Sequence, residues 1–204
     1  MKFNTVIFDM GGVLLNFDFD IYLQSFREIG LTGIDEMADR YRQRGPFFEI
    51  EAGLITAETF FDKIRSCLPK PLTDGEIAET WCRFLKGIPA ESLEAVKAVH
   101  RKKKTCLLSN SNPIHWGWVC ERYFPTRTAL AEYFDECFLS YEMKMSKPDP
   151  EIYEAVEQRL AVPAESILFI DDSEENCRAA ARRGWSVLTP KTAREWITFL
   201  DSVE

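Results

Sequence analysis

The stretch Val6-Ile7-Phe8-Asp9-Met10-Gly11-Gly12-Val13-Leu14-Leu15 constrains this chain more than any other. Apolar residues lead into a carboxylate, two glycines follow, and three more apolar residues close the run. A short continuous apolar run reads as a strand buried on both faces, the environment of a parallel sheet covered by helices. Asp9 then stands at the strand's end, on the carboxyl edge where open α/β sheets bind ligands. A carboxylate held there needs a cation, hydrogen-bond donors or chemistry to offset its desolvation. Gly11 and Gly12 open backbone shapes closed to other residues and let a loop approach a ligand. Asp also ends strands and caps turns for purely local reasons. The rest of the chain decides between the two readings.

After this strand the pattern changes. From Asp20 to about Gly87 the chain holds several helical segments and no convincing strand. Ile21–Ile29 has apolar positions at helical spacing and stops at Gly30, and Asp35–Arg44 reads as a polar helix. Thr56 opens an amphipathic stretch through Phe60, Phe61, Ile64 and Leu68, and Thr73-Asp74-Gly75-Glu76 has the spacing of a capping box. Residues 18–87 are therefore expected to form an all-helical insertion, the size of a small cap domain. Residues 1–17 and 88–204 are left to form the core. There Glu91–Arg101, Trp116–Phe124, Asp149–Leu160 and Glu174–Arg183 read as helices. Thr105–Leu108, Cys137–Ser140, Ser166–Ile170 and Trp185–Leu188 read as strands. Strands alternating with helices predict a doubly wound, Rossmann-like parallel sheet.

Composition excludes several classes of partner. The formal charge of −8 over 204 residues disfavours nucleic acid and anionic membrane. It does not exclude a small anionic substrate, which responds to the local field. The basic run Arg101–Lys104 falls where a helix should end and suits the helix dipole there. Met1–Asn4 runs straight into the first strand, no apolar stretch is long enough to span a bilayer, and six cysteines are scattered without a Cys-x-x-Cys pair. These features fit reduced thiols and a cytoplasmic protein.

Three further polar clusters each follow a predicted strand or lie in the loop beyond one. Ser109-Asn110 follows the strand ending at Leu108, Lys147 stands in a loop before Pro148, and Asp171-Asp172 follows the strand ending at Ile170. Singly each has a plainer explanation: turn residues, a solvated lysine, a helix cap. Adjacent carboxylates beyond a buried strand are the hardest to explain that way, since they repel unless a cation separates them. Parallel neighbouring strands would bring all four groups to one edge of the sheet. They would then supply a carboxylate nucleophile, a hydroxyl and an amide for an anion, an ammonium to neutralise it, and carboxylates for a divalent ion.

Motif by motif and in order, the chain resembles the haloacid dehalogenase superfamily of hydrolases, in the branch with an α-helical cap inserted after the first motif. Leu108–Asn112, the run from Leu139 to Tyr153 with Lys-Pro-Asp-Pro-Glu-Ile-Tyr, and Phe169–Asn176 are most similar to phosphatases of α-D-glucose 1-phosphate. The resemblance implies that Asp9 attacks phosphorus and forms an aspartyl-phosphate intermediate. It implies Mg²⁺ held by Asp9, the Gly11 carbonyl and Asp172, with Asp171 in support. It implies Ser109 and Asn110 on the phosphate oxygens, and Lys147 stabilising the transferring group and orienting Asp9. The expected substrate is a small phosphorylated metabolite, with sugar phosphates favoured.

One departure stands out. Most phosphatases of the superfamily carry a second aspartate two residues after the nucleophile, as general acid and base, and here that position is Gly11. Such a group is typically worth about a hundredfold to ten-thousandfold. The substrate itself, Glu49 or Glu51 from the helical segment, or His115 remain as stand-ins, though His115 beside Trp116 also reads as a structural residue. Phe47, Phe48, Trp116 and Trp118 are aromatic residues that either line the site or pack a core. Two rival readings stay open. One is a dehalogenase, which also lacks the second aspartate but gains nothing from Asp171-Asp172 near a carboxylate substrate. The other is a phosphometabolite-binding protein that lost its catalysis with the acid.

Overall fold

The computed structural model describes residues 3–38 and 43–203. β1 (Thr5–Phe8) is buried along its whole length. A short strand β2 (Asn16–Phe17) follows, and then the helices α1 (Phe19–Glu28), α2 (Ile34–Met37), α3 (Gly45–Glu51), α4 (Ala57–Ser66) and α5 (Asp74–Cys82). β3 (Leu85–Gly87) returns antiparallel to β2. Strands and helices then alternate through α6 (Ala90–His100), β4 (Lys104–Ser109), α7 (Pro113–Tyr123), α8 (Arg127–Ala131), β5 (Glu136–Leu139), α9 (Ser140–Met143) and α10 (Pro150–Leu160). β6 (Ile167–Ile170), α11 (Glu174–Arg182), β7 (Ser186–Leu188) and α12 (Ala193–Ser202) complete the chain.

β1, β4, β5, β6 and β7 form one parallel sheet in the order β5-β4-β1-β6-β7. This is the doubly wound α/β architecture the sequence predicts. Alternation along β1 divides the core into two layers. Val6 and Phe8 join Leu107, Leu168, Val96, Val99, Trp196 and Leu200 on the face covered by α6 and α12. Ile7 joins Cys106, Phe169, Ile152, Val156 and Ala180 under α10 and α11 on the other. The chain leaves β1 for β4 and β5 on one side and later returns to β6 and β7 on the other. The carboxyl end of β1 is therefore a topological switch point, where a crevice opens in folds of this kind.

The helices α1 to α5 pack around a separate apolar cluster, with Phe26, Phe47, Ile50, Phe60 and Ile77 fully buried around Trp81. Trp81 stacks on Phe60 with ring centroids 4.6 Å apart. Thr56 caps α4, and Thr73 and Glu76 form a reciprocal capping box on α5, as their spacing predicts.

Several local expectations need correction. The helix expected over Asp35–Arg44 is confined to Ile34–Met37. Ala38 is extended and bridges to Gln43, while 39–42 lie outside the described residues. β3 lies in a region where no strand was expected. Its three residues are too few for alternation to register, and its partner β2 lies some seventy positions earlier. The helix expected from Trp116 begins at Pro113, because the Asn112 side chain accepts the first free N–H groups and proline suits the first turn. Ser140 opens α9 rather than ending the preceding strand. Asp149 precedes α10 but makes no capping bond with its side chain.

Candidate active site

Asp9 sits one residue beyond β1, its backbone N–H donating to the Ile170 carbonyl at 2.8 Å. Its carboxylate also accepts from the Met10 N–H at 2.7 Å. Lys147 reaches the same point. Its ammonium lies 3.0 Å from Asp9 Oδ1 and 2.6 Å from Asp171 Oδ2, and donates to the Leu108 carbonyl at 2.9 Å. The Lys147 side chain is 1% exposed, so its three donors are matched to three buried acceptors. Asn110 explains how a loop lysine is held so firmly. Its side-chain amide donates to the Lys147 carbonyl and its amide oxygen accepts the Lys147 N–H, both at 2.8 Å. The Asn110 side chain thus grips the lysine's backbone, a role its position in the sequence did not suggest. Ser109, at the end of β4, is buried and lines the same cavity.

The two adjacent aspartates differ in burial. Asp171 is fully buried and accepts from the Ser173 N–H at 2.8 Å and from the Asn176 amide at 3.0 Å, besides Lys147. Asp172 is partly exposed and lies over Gly12. A Cβ at Gly12 would overlap Asp172 Oδ2 and stand 2.5 Å from its Cγ, and Gly12 has φ +76°. The turn after β1 therefore needs glycine there on both counts. Carboxylate oxygens of Asp9, Asp171 and Asp172 lie within 4.8 Å of one another. A cluster of three carboxylates at this spacing could hold a hard divalent cation.

The electrostatics describe a site built for charge that arrives with a ligand. Burial pushes the Asp9 carboxyl up to about 7, with Asp171 and Asp172 adding to the effect and Lys147 opposing it. Lys147 is drawn the other way by burial, but Asp171 and Asp9 hold it above its ordinary value, so it stays charged. A cation beside Asp9 would offset the desolvation and leave the carboxylate ionised.

A cavity of about 160 Å³ opens from this cluster toward the helices α1, α3 and α5. Tyr22, Gln43, Glu51, Trp81, Phe84 and His115 line it beside Asp9, Ser109 and Lys147. His115 is placed by Asn112, whose amide oxygen accepts from the Ile114 and His115 N–H groups at 3.1 and 2.9 Å. The Asn112 amide therefore donates to His115 Nδ1, 3.0 Å away, which leaves the proton on Nε2. Nε2 is buried and has no hydrogen-bond partner among the described residues. Burial lowers the ring's pKa to about 3, so it is a neutral donor. Its ring packs on Trp81 and Phe84, with centroids 4.3 and 5.2 Å apart, and not simply beside Trp116. Trp116 lines the cavity, whereas Trp118 lies outside it under the Arg122 guanidinium at 4.1 Å. Phe47 is fully buried among the helices and Phe48 points out to solvent. Tyr22, Gln43 and Trp81 were not singled out as cavity residues from sequence.

Residues 3–184 match the haloacid dehalogenase-like hydrolases, and the chain belongs to that family. It is similar to D-ribitol-5-phosphate phosphatase of Bacteroides thetaiotaomicron, 30% identical over 94% of this chain and 93% of that protein. It is also similar to a phosphorylated carbohydrates phosphatase of Thermotoga maritima, 32% identical over 88% of this chain and 81% of that one. Among solved structures, a family enzyme of Bacteroides thetaiotaomicron in complex with magnesium and inorganic phosphate superimposes with a TM-score of 0.85. It is 40% identical, and the match covers 93% of this chain and 94% of that chain.

Proposed function

We propose that this protein is a Mg²⁺-dependent phosphatase of a small phosphorylated carbohydrate or sugar alcohol, working through an aspartyl-phosphate on Asp9. The observation that carries the reading is the meeting of Asp9, Asp171 and Asp172 around buried Lys147. Three carboxylates and one ammonium leave a negative excess that a divalent cation would offset. The relatives act on, or were crystallised with, the ligands such a site would take.

Asp9 is the nucleophile because its carboxylate ends the central strand at the switch point and is oriented by Lys147 and the Met10 N–H. Lys147 also faces the incoming phosphoryl group, where its fixed charge is worth most in a site shielded from water. Ser109 offers its hydroxyl to a phosphate oxygen, and Asn110 assists by holding the lysine and through its backbone N–H. Asp9, Asp172 and the Gly11 carbonyl would hold Mg²⁺, which when bound supplies charge neutralisation between the anionic nucleophile and substrate. Asp171 keeps Lys147 in register. Residues 18–87 act as a cap over a core of 1–17 and 88–204, closing over the leaving group and excluding water. The polar groups of Tyr22, Gln43 and His115 among aromatic rings suit a hydroxylated leaving group. No helix among the described residues is long and apolar enough to cross a membrane, and the six cysteines are unpaired, which suits a cytoplasmic enzyme.

Phosphate release from D-ribitol 5-phosphate, α-D-glucose 1-phosphate, other sugar phosphates and an aryl phosphate, with Mg²⁺ and with EDTA, tests the reading. Mg²⁺-dependent release is expected. Binding of these esters without turnover would favour the binding-protein reading instead.

A further inference from the structure

Gly11 leaves the leaving oxygen without the proton donor that a carboxylate two residues after Asp9 would supply. No other carboxylate, imidazole or thiol stands in the turn from Met10 to Leu15. The Phe17 ring lies over Gly11, its Cε1 3.6 Å from where a Cβ would stand. A proton donor from the protein would then reach the leaving oxygen from the cavity lining opposite Asp9. Of the two acids in α3, Glu49 is committed elsewhere, its carboxylate 2.6 Å from the Lys63 ammonium of α4. Two residues on a helix are turned by roughly 200°, and Glu51 accordingly faces the cavity that contains Asp9. No cation pairs with the Glu51 carboxyl among the described residues.

Glu51 is also fixed to the core. Ser140 Oγ donates to the Glu51 carbonyl at 2.6 Å and accepts the Ser111 N–H at 3.0 Å, two residues beyond Ser109. Just past α3, Gly53 packs against the backbone of Tyr141. A Cβ there would overlap the Tyr141 carbonyl oxygen and stand 2.9 Å from its carbon. One serine hydroxyl and one glycine thus dock the end of α3 on the start of α9, and the serine ties it to the loop after β4.

Resting on the phosphatase reading above, we propose that Glu51 is the general acid and base of this enzyme, supplied from the helical segment in place of the absent aspartate. In the first step the bond from Asp9 to phosphorus forms as the bond from phosphorus to the leaving oxygen breaks, and the Glu51 carboxyl proton passes to that oxygen. In the second, a water oxygen bonds to phosphorus, its proton passes to the Glu51 carboxylate, and the bond to Asp9 breaks. Proton and electron pairs balance, and Glu51 ends protonated as it began. Burial among Tyr22 and its neighbours raises the Glu51 carboxyl to about 8, so the resting group carries its proton.

The test compares leaving groups. Glu51→Gln keeps the shape of a neutral carboxyl and should fold, which a thermal melt checks. Its turnover of D-ribitol 5-phosphate should fall about a hundredfold or more, because an alkoxide cannot leave unprotonated. With p-nitrophenyl phosphate, whose phenolate leaves without a proton, the variant should still give a burst of one p-nitrophenolate per enzyme and then stall. Glu51→Asp should recover part of the alkyl-ester turnover. Equal loss on both esters without a burst, unchanged turnover of both, or no advantage of Glu51→Asp over Glu51→Gln would overturn the assignment. If the wild-type protein cleaves neither ester, the phosphatase reading itself falls, and the inference with it.

Discussion

Replacing Gly12 by alanine should damage the proposed metal site without replacing any ligand residue. At φ +76° an L-residue costs about 1–2 kcal/mol relative to glycine. The added Cβ would stand 2.5 Å from Asp172 Cγ, so the carboxylate must retreat by about 0.9 Å to reach an ordinary 3.4 Å contact. Mg²⁺ demands near-ideal geometry at its oxygens, and a displacement of that size is well beyond the roughly 0.2 Å such a site tolerates. We expect a loss of about 1–2 kcal/mol in stability and of about tenfold to a hundredfold in Mg²⁺ affinity. The assay is calorimetric titration with Mg²⁺ beside the Mg²⁺ dependence of phosphate release. Gly75→Ala is the control, since a Cβ there meets nothing within 4 Å. A Gly12→Ala protein that binds Mg²⁺ as tightly as the wild type would refute the placement of Asp172 as a ligand.

Other outcomes follow from the same geometry. Lys147→Met should cost about 3–5 kcal/mol in urea unfolding, because it removes the ammonium that the buried Asp171 and Asp9 share; a loss under 1 kcal/mol would contradict a buried, tightly paired lysine. The folded-state values of Asp9 and Glu51 are raised from 3.8 and 4.5 to about 7 and about 8. The folded protein then binds more protons than the unfolded chain, so stability without metal should fall as pH rises from about 4 toward 8. Glu51→Gln should remove part of that slope, visible as a smaller shift of the urea midpoint between pH 5 and pH 9. His115→Phe should raise KM for sugar-alcohol phosphates several-fold while leaving an aryl phosphate little changed, since only the former offers a hydroxyl to Nε2–H.

Much of this architecture could be read from local sequence. The doubly wound sheet follows from apolar runs such as Val6–Phe8 and Ile167–Ile170, whose burial on both faces leaves few alternatives. Asp9 and Asp171-Asp172 were legible because a charge directly after such a run has no apolar place to go. The three-residue β3 was not, because its pairing with Asn16 and Phe17 depends on tertiary closure and leaves no periodic trace. Nor was the task of Asn110, since gripping the Lys147 backbone joins loops 37 residues apart. The choice between Glu49 and Glu51 needed the position of Lys63 on a neighbouring helix, which spacing alone does not supply. The His115 tautomer likewise became determinate only once Asn112 was seen to cap α7.

The central claim is that Asp9 carries the phosphoryl group. Acid quenching during turnover of a phosphate ester with Mg²⁺, followed by peptide mass spectrometry, measures this directly. An acid-stable, base-labile phosphate is expected on the peptide containing Asp9, absent with EDTA and absent in Asp9→Asn. Undiminished phosphate release by Asp9→Asn, or a phosphate trapped on another residue, would contradict it.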